Sequence, residues 1–302
     1  MDKAHKERLG EMGGEDVRFD CPMDQYTTFR AGGRAEALYA LSKLSDLCRL
    51  LPYLKDEAIP YMVLGKGSNV LVRDQGFKGV MIVLKGEMAT LGGDADDPCR
   101  IEVGAGLGIG ELLNHCIKGG LGGLEFLAGI PGTVGGALAM NAGAWGMEIV
   151  PLVQRMQLVT ARGKVMDMEG SQLRSSYRAL SIPKGSVIAA CRFLCTQKTR
   201  ARISEKVTGY LKERKARQPL EYPSGGSVFR NPPESHAGRL IEEAGLKGEK
   251  IGGAMISPKH ANFIVNTGGA TAEDILALMA LARKRVHERT GIQLEPEIRI
   301  AG

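Results

Sequence analysis

Apolar residues recur at three- and four-residue spacing over Leu44, Leu47 and Leu51, which predicts a helix from Leu44 to Leu54 with one greasy face. Short β-like runs surround it from about Asp16 to Val83, so this stretch reads as an α+β unit. A second stretch, from about Lys85 to Thr196, opens with the strand-like Arg100-Ile101-Glu102-Val103 and a helix near Ile109 to Ile117. Dense glycine follows, and Val187 to Phe193 reads as its last strand. The chain then turns basic and helix-compatible from Lys198 to Arg217, until Pro219 removes the donor that the next turn would need. Beyond it, Thr271 can cap a helix with Asp274 three positions on. Ile275, Leu278, Ala282 and Val286 keep helical spacing until Gly291 stops it. The closing run from Leu294 to Ile300 alternates, which predicts a strand with Leu294, Ile298 and Ile300 on one face and Glu295, Glu297 and Arg299 on the other. Pro296 assigns that strand to an edge or a bulge, because it lacks a ladder donor.

At 302 residues the chain is long for one core, so two or three packed units are expected. The divisions above give residues 1–16 as an N-terminal tail, 17–84 and 85–197 as two units, and 198–302 as a third. The 41 glycines set against 5% aromatics are the unusual part of the composition, and they require many turns or close backbone approaches. A formal charge of +6 favours an anionic partner without naming it. The basic run 198–217 has Tyr210 as its one aromatic and reads as a solvated helix face rather than a nucleic-acid surface. No apolar h-region opens the chain, and no apolar run approaches the ~20 residues of a membrane helix, so a cytoplasmic location without membrane insertion is expected. Six dispersed cysteines form no C-x-x-C pair and the five histidines no H-E-x-x-H. Free thiols and no metal are therefore expected.

Two glycine-rich segments carry the candidate chemistry. In Leu64-Gly65-Lys66-Gly67-Ser68-Asn69-Val70, glycines and small polar residues sit where a strand turns, and backbone N–H groups there could reach a phosphate. The spacing is not G-x-G-x-x-G, since Val70 stands at the third glycine position, and no G-x-x-x-x-G-K-[ST] occurs. The second, Gly129-Ile130-Pro131-Gly132-Thr133-Val134-Gly135-Gly136-Ala137, runs on to Met140-Asn141-Ala142-Gly143. Either could be tight turns alone; together they favour a pyrophosphate-bearing cofactor.

With Thr27-Thr28-Phe29-Arg30-Ala31-Gly32-Gly33 before them, and Tyr177-Arg178, Ser224-Gly225-Gly226-Ser227-Val228-Phe229 and Glu295-Pro296-Glu297 after, these loops resemble the UDP-N-acetylenolpyruvoylglucosamine reductase (MurB) family. The collinear match runs from near residue 20 to residue 302. Only Ala179 to Ser186 separate Arg178 from Val187, which resembles the shorter (type II) subclass rather than the one with a tyrosine-bearing loop there. The resemblance implies an α+β, vanillyl-alcohol-oxidase/PCMH-type FAD-binding fold. Its two subdomains would be residues 17–84 and 85–197, and residues 198–302 a substrate-binding domain whose last strand, 294–302, returns to the active site. It implies that Gly65, Gly67, Ser68, Asn69, Gly129, Gly132, Thr133, Gly135, Gly136, Ala137, Asn141 and Gly143 hold FAD. Neither loop carries a histidine or cysteine for covalent attachment, so dissociable FAD is expected.

The family reaction sends hydride from NADPH through FAD to the enolpyruvyl ether of UDP-N-acetylglucosamine, giving UDP-N-acetylmuramate. The resemblance implies Arg178 at the substrate carboxylate, Ser227 as the acid that protonates the intermediate, and Glu297 beside that carboxylate. Tyr177, Arg217 and Asn231 would contact substrate, and the protein is expected to be a monomer. Taken singly, Ser227 reads as a turn serine, Arg178 as a surface ion-pairing residue and Glu297 as a solvated strand residue. G-G-S-V-F around Ser227 is not the G-x-S-x-G of a serine hydrolase. A flavin oxidase or dehydrogenase of the same fold and a non-catalytic nucleotide-sugar binder stay open.

Overall fold

The computed structural model describes residues 1–93 and 96–302. Contacts gather the chain into two interleaved units rather than consecutive segments. One comprises Met1–Phe19, Ala37–Gly65 and Gly79–Lys212, the other Asp20–Glu36, Lys66–Lys78 and Glu213–Gly302. The cause is visible in the packing: Phe29, Ala31 and Leu71 are buried in one core with Val228, Ile264 and Leu278. Strand Val70–Val72 also pairs in parallel with Arg299–Ala301. A boundary at Lys198 is likewise overridden, because Ile203 and Val207 are buried in the first unit's core.

In the first unit, helix α1 (Lys3–Gly13) occupies what the sequence suggested was a tail. Asp2 caps it by accepting from the His5 amide at 2.9 Å, and Leu9 is fully buried. One apolar anchor in an otherwise polar helix leaves no periodic signal. Helix α2 (Leu44–Asp56) buries Leu47, Leu50, Leu51 and Leu54. This unit carries most of a four-stranded sheet ordered Val17–Pro22, Arg34–Leu41, Phe77–Leu84, Tyr61–Val63. Its second sheet is ordered Val165–Glu169, Val153–Val159, Val187–Leu194, Arg100–Gly104, Leu91–Gly93, with adjacent strands antiparallel. Helix α3 (Ile109–Gly119) buries Ile109, Leu112, Leu113 and Cys116 and stops at Gly120 in the left-handed region. The short helix α4 (Val134–Ala139) carries the second glycine-rich segment. Just ahead of that segment Glu125 is buried, accepting from the Gly123 amide at 2.7 Å and pairing with Lys198 Nζ at 3.2 Å. Burial alone would raise this carboxyl; the backbone donors and Lys198 prevail and hold it below the usual carboxylate value.

Helix α5 (Arg200–Arg217) is mostly solvated, burying only Ile203 and Val207. The second unit holds a four-stranded sheet ordered Ser224–Ser227, Phe263–Asn266, Ala254–Ile256, Lys250–Ile251. Helices α6 (Ala237–Glu243) and α7 (Ala272–Thr290) supply its remaining core. The capping expectation for α7 is met in full: Thr271 Oγ1 accepts from the Asp274 amide at 3.1 Å, and Asp274 accepts from the Thr271 amide at 3.0 Å. Gly291 ends the helix in the left-handed region. The expected alternation at the end of the chain is not met. Leu294, Ile298 and Ala301 are buried whereas Ile300 is 36% exposed, and regular strand is confined to Arg299–Ala301. Pro296 forms only an isolated bridge to Phe229, so the two-residue period breaks at that proline.

Candidate active site

Within the first unit the glycine loop is braced from below. The amides of Val134 and Gly135 donate to Leu107 and Ala105 carbonyls at 2.9 and 2.7 Å, and Ile109 N donates to Gly132 O at 3.1 Å. Thr133 caps α4 by accepting from Gly136 N at 3.4 Å. The two glycine segments meet here: a Cβ on Gly65 would lie 2.6 Å from Thr133 Oγ1. Any side chain at 65 would occupy the space beside the capping threonine, so the backbone stays bare where a large anion can approach.

The same loop leads to Asn141, fully buried and at φ +39°. Its carboxamide donates to Glu148 Oε2 at 2.7 Å and to Ser176 O at 3.1 Å, and accepts from Val150 N at 3.3 Å. That ties the glycine segment to the hairpin Arg174–Ser176/Ala179–Ser181, whose turn presents Tyr177 and Arg178. Arg178, at φ +58°, donates from Nη1 to Gly143 O at 3.1 Å and lies 5.1 Å from the centroid of the Tyr177 ring. Of the first unit's predicted residues, Asn141, Gly143 and Arg178 are thus tied to one hairpin, while Gly65 and Thr133 lie side by side. Glu148 joins this set through Asn141 and was missed by sequence reasoning, since a lone glutamate seven residues from its partner makes no motif.

The second unit brings together another set. Gly67, at φ +62°, would carry a Cβ 2.7 Å from Thr27 Cα, so this segment lies against the Thr27–Thr28 backbone. Asn69 Nδ2 donates to Glu297 O at 3.1 Å, and Arg299 N donates to Asn69 O at 2.9 Å. Glu297 N in turn donates to Val228 O at 2.8 Å, next to Ser227. Thr28 donates from Oγ1 to Ser224 O at 2.6 Å, a partner that only the folded chain reveals. Arg217 and Asn231 do not join this group. Arg217 is exposed at the end of α5 with Glu213 at 3.7 Å, while Asn231 Oδ1 accepts from Ala237 N at 3.0 Å at the start of α6. Among the described residues no cluster of histidine, cysteine, aspartate and glutamate suits a metal ion. All six cysteines are free thiols.

Comparison with known proteins identifies the architecture. Residues 35–169 match the model of an FAD binding domain. Residues 218–301 match the C-terminal domain of UDP-N-acetylenolpyruvoylglucosamine reductase. A Geobacter metallireducens protein of that name is 42% identical over 304 aligned residues, covering 100% of this chain and 99% of its own length. Another, UDP-N-acetylenolpyruvoylglucosamine reductase 2 of Symbiobacterium thermophilum, is 42% identical over 93% of this chain and 91% of its own. The crystal structure of the Thermus caldophilus reductase superposes with a TM-score of 0.82 at 36% identity, over 95% of this chain and all of that one. The fold is therefore the α+β, PCMH-type FAD-binding fold with its C-terminal substrate domain, and the chain belongs to the UDP-N-acetylenolpyruvoylglucosamine reductase family.

Proposed function

We infer that this chain reduces UDP-N-acetyl-3-O-(1-carboxyvinyl)-glucosamine to UDP-N-acetylmuramate for peptidoglycan precursor synthesis, using NADPH as reductant and FAD as carrier. The full-length match to reductases of that name carries the reading. The bare backbone at Gly65, beside the capping Thr133, fits the cofactor, because a pyrophosphate needs close approach to backbone and a side chain at 65 would fill that space. Bound FAD would supply hydride transfer between NADPH and the enolpyruvyl group. Gly65, Gly67, Ser68, Asn69, Gly129, Gly132, Thr133, Gly135, Gly136, Ala137, Asn141 and Gly143 would hold it, without covalent attachment.

The roles of the remaining residues follow from what the substrate needs. Hydride addition drives negative charge into the carboxylate of the enolpyruvyl group, so the barrier falls if a fixed positive group meets that charge as it develops. Arg178 supplies a planar two-donor fork for the purpose, already oriented by Gly143 and Tyr177. The other alkene carbon then takes a proton from the Ser227 hydroxyl. Glu297, held through its backbone by Asn69 and Val228, stands beside the same carboxylate. Tyr177, Arg217 and Asn231 line the nucleotide. For Asn231 this role competes with the bond to Ala237, and Arg214, on the same helix, is the alternative to exposed Arg217. No helix among the described residues is long and apolar enough to cross a membrane. We place the enzyme in the cytoplasm, as a monomer that makes soluble precursor.

The test is spectroscopic. Purified protein supplied with FAD should show a flavin spectrum, bleach on anaerobic NADPH and recover its colour on addition of the enolpyruvyl nucleotide. Recovery with oxygen but not with the nucleotide would make it an oxidase instead. Ligand-induced stabilisation without NADPH turnover would make it a binder.

A further inference from the structure

Ser227 ends an irregular strand. Ser224 faces Val265 and Ser227 faces Phe263, so three residue steps on one strand oppose two on the other, which is a bulge. Gly225 and Gly226 absorb the extra residue. Gly226 sits at φ +75°, and Gly225 lies so close to the Phe29 ring that a Cβ would overlap it. A bulge aims the side chain that follows it only if both of its ends are pinned. The entry is pinned by Asn266 N donating to Pro223 O at 2.9 Å and by Thr28 Oγ1 on Ser224 O.

The exit is pinned differently. Past Ser227 the regular pairing with Phe263–Asn266 ends, and one residue, Asn262, takes over with its side chain and its carbonyl. Phe229 N donates to Asn262 Oδ1 at 3.0 Å, Asn262 Nδ2 donates to Phe229 O at 2.8 Å, and Val228 N donates to Asn262 O at 2.9 Å. Asn262 is 3% exposed and Phe229 1%, so these bonds are shielded from bulk solvent. Asn262 is itself fixed, its amide donating to His260 Nδ1 at 3.3 Å. Burial pushes the His260 imidazole below its ordinary value, which favours the neutral ring that can accept such a bond. On its opposite edge the same strand holds the end of the chain: Glu297 N donates to Val228 O at 2.8 Å and Arg230 N to Glu295 O at 2.9 Å.

We propose that Asn262 is a positioning residue of the reaction, acting through the Phe229 backbone to fix both the Ser227 hydroxyl and the Glu297 carboxylate. The inference rests on the proton-donor role given to Ser227 above. Losing the carboxamide would leave two buried backbone groups of Phe229 unpaired, and the strand would shift to satisfy them. A displacement of an ångström at a proton donor is enough to slow its step by up to about a hundredfold.

The experiment is anaerobic rapid mixing of the flavin-loaded protein. Asn262→Ala should leave flavin reduction by NADPH within about twofold, yet slow reoxidation by the enolpyruvyl nucleotide about tenfold or more at saturating substrate, so that kcat falls and KM barely moves. Asn262→Asp, which keeps the acceptor for Phe229 N but sets an oxygen against Phe229 O, should show the same selective slowing and carries the test if Asn262→Ala does not fold. Leu278→Ala, in the same core, controls for loosening of the unit: it should lower Tm without separating the two half-reactions. The proposal is overturned if reoxidation stays within about twofold in the Asn262 variants while Ser227→Ala slows it, or if Leu278→Ala shows the same selective loss. Should Ser227→Ala itself leave reoxidation unchanged, the proton-donor reading fails and the role of Asn262 goes with it.

Discussion

A serine hydroxyl is a poor acid, so Ser227 is useful only against a strongly basic intermediate and in a fixed position. Ser227→Ala is expected to slow flavin reoxidation by the nucleotide by about 10²–10⁴-fold while flavin reduction by NADPH stays intact, as single-turnover absorbance will show. Arg178→Lys keeps the charge but loses the fork, and kcat/KM for the nucleotide should drop about tenfold or more in steady-state assays. Both residues are singled out in the sequence only by resemblance, carried by the short segments Tyr177-Arg178 and Ser224 to Phe229, and their roles are proposals. Asn262 and Glu148 are not singled out at all. Their partners, Phe229 and Asn141, are fixed by folding, and a polar residue that serves a distant backbone or a single side chain leaves no local pattern.

At the scale of elements, periodicity identified helices whose apolar face is continuous and failed where one anchor or one proline decides. Helix α7 was legible from Thr271 to Gly291 since cap, stripe and stop agree. Helix α1 was not, with Leu9 its only buried residue, and the terminal strand was misread because Ala301 replaces Ile300 in the core. The α7 cap is testable. Thr271→Ala should cost about 1 kcal/mol in urea unfolding. Asp274 is also pH-sensitive: hydrogen bonds from the Thr271 backbone hold its carboxyl below the ordinary value, opposed by slight burial. A depressed carboxyl stabilises fully above its unfolded pKa of about 3.9 and loses that contribution as pH falls through the lower folded value. The stability gap between the protein and Asp274→Asn should therefore be constant near neutrality and shrink in acid, as denaturant titrations across pH will measure.

For the whole molecule, a net charge of +6 suits a protein whose cofactor, reductant and substrate all carry phosphate. Raising salt from low to physiological strength should lower kcat/KM for the nucleotide more than kcat, because encounter is screened and chemistry is not. Interleaving of the two units could not be read from the order of elements. Which segment joins which core depends on contacts between residues more than two hundred positions apart, such as Phe29 with Asn266 and Asn69 with Glu297. Parallel pairing of Arg299–Ala301 with Val70–Val72 has a practical sequel. Trimming those three residues would strip neighbours from Asn69 and Glu297 together, so a clipped protein should lose flavin retention and turnover in one stroke. A bulky fusion attached at that strand risks the same double injury, whereas one joined ahead of α1 does not touch the pairing.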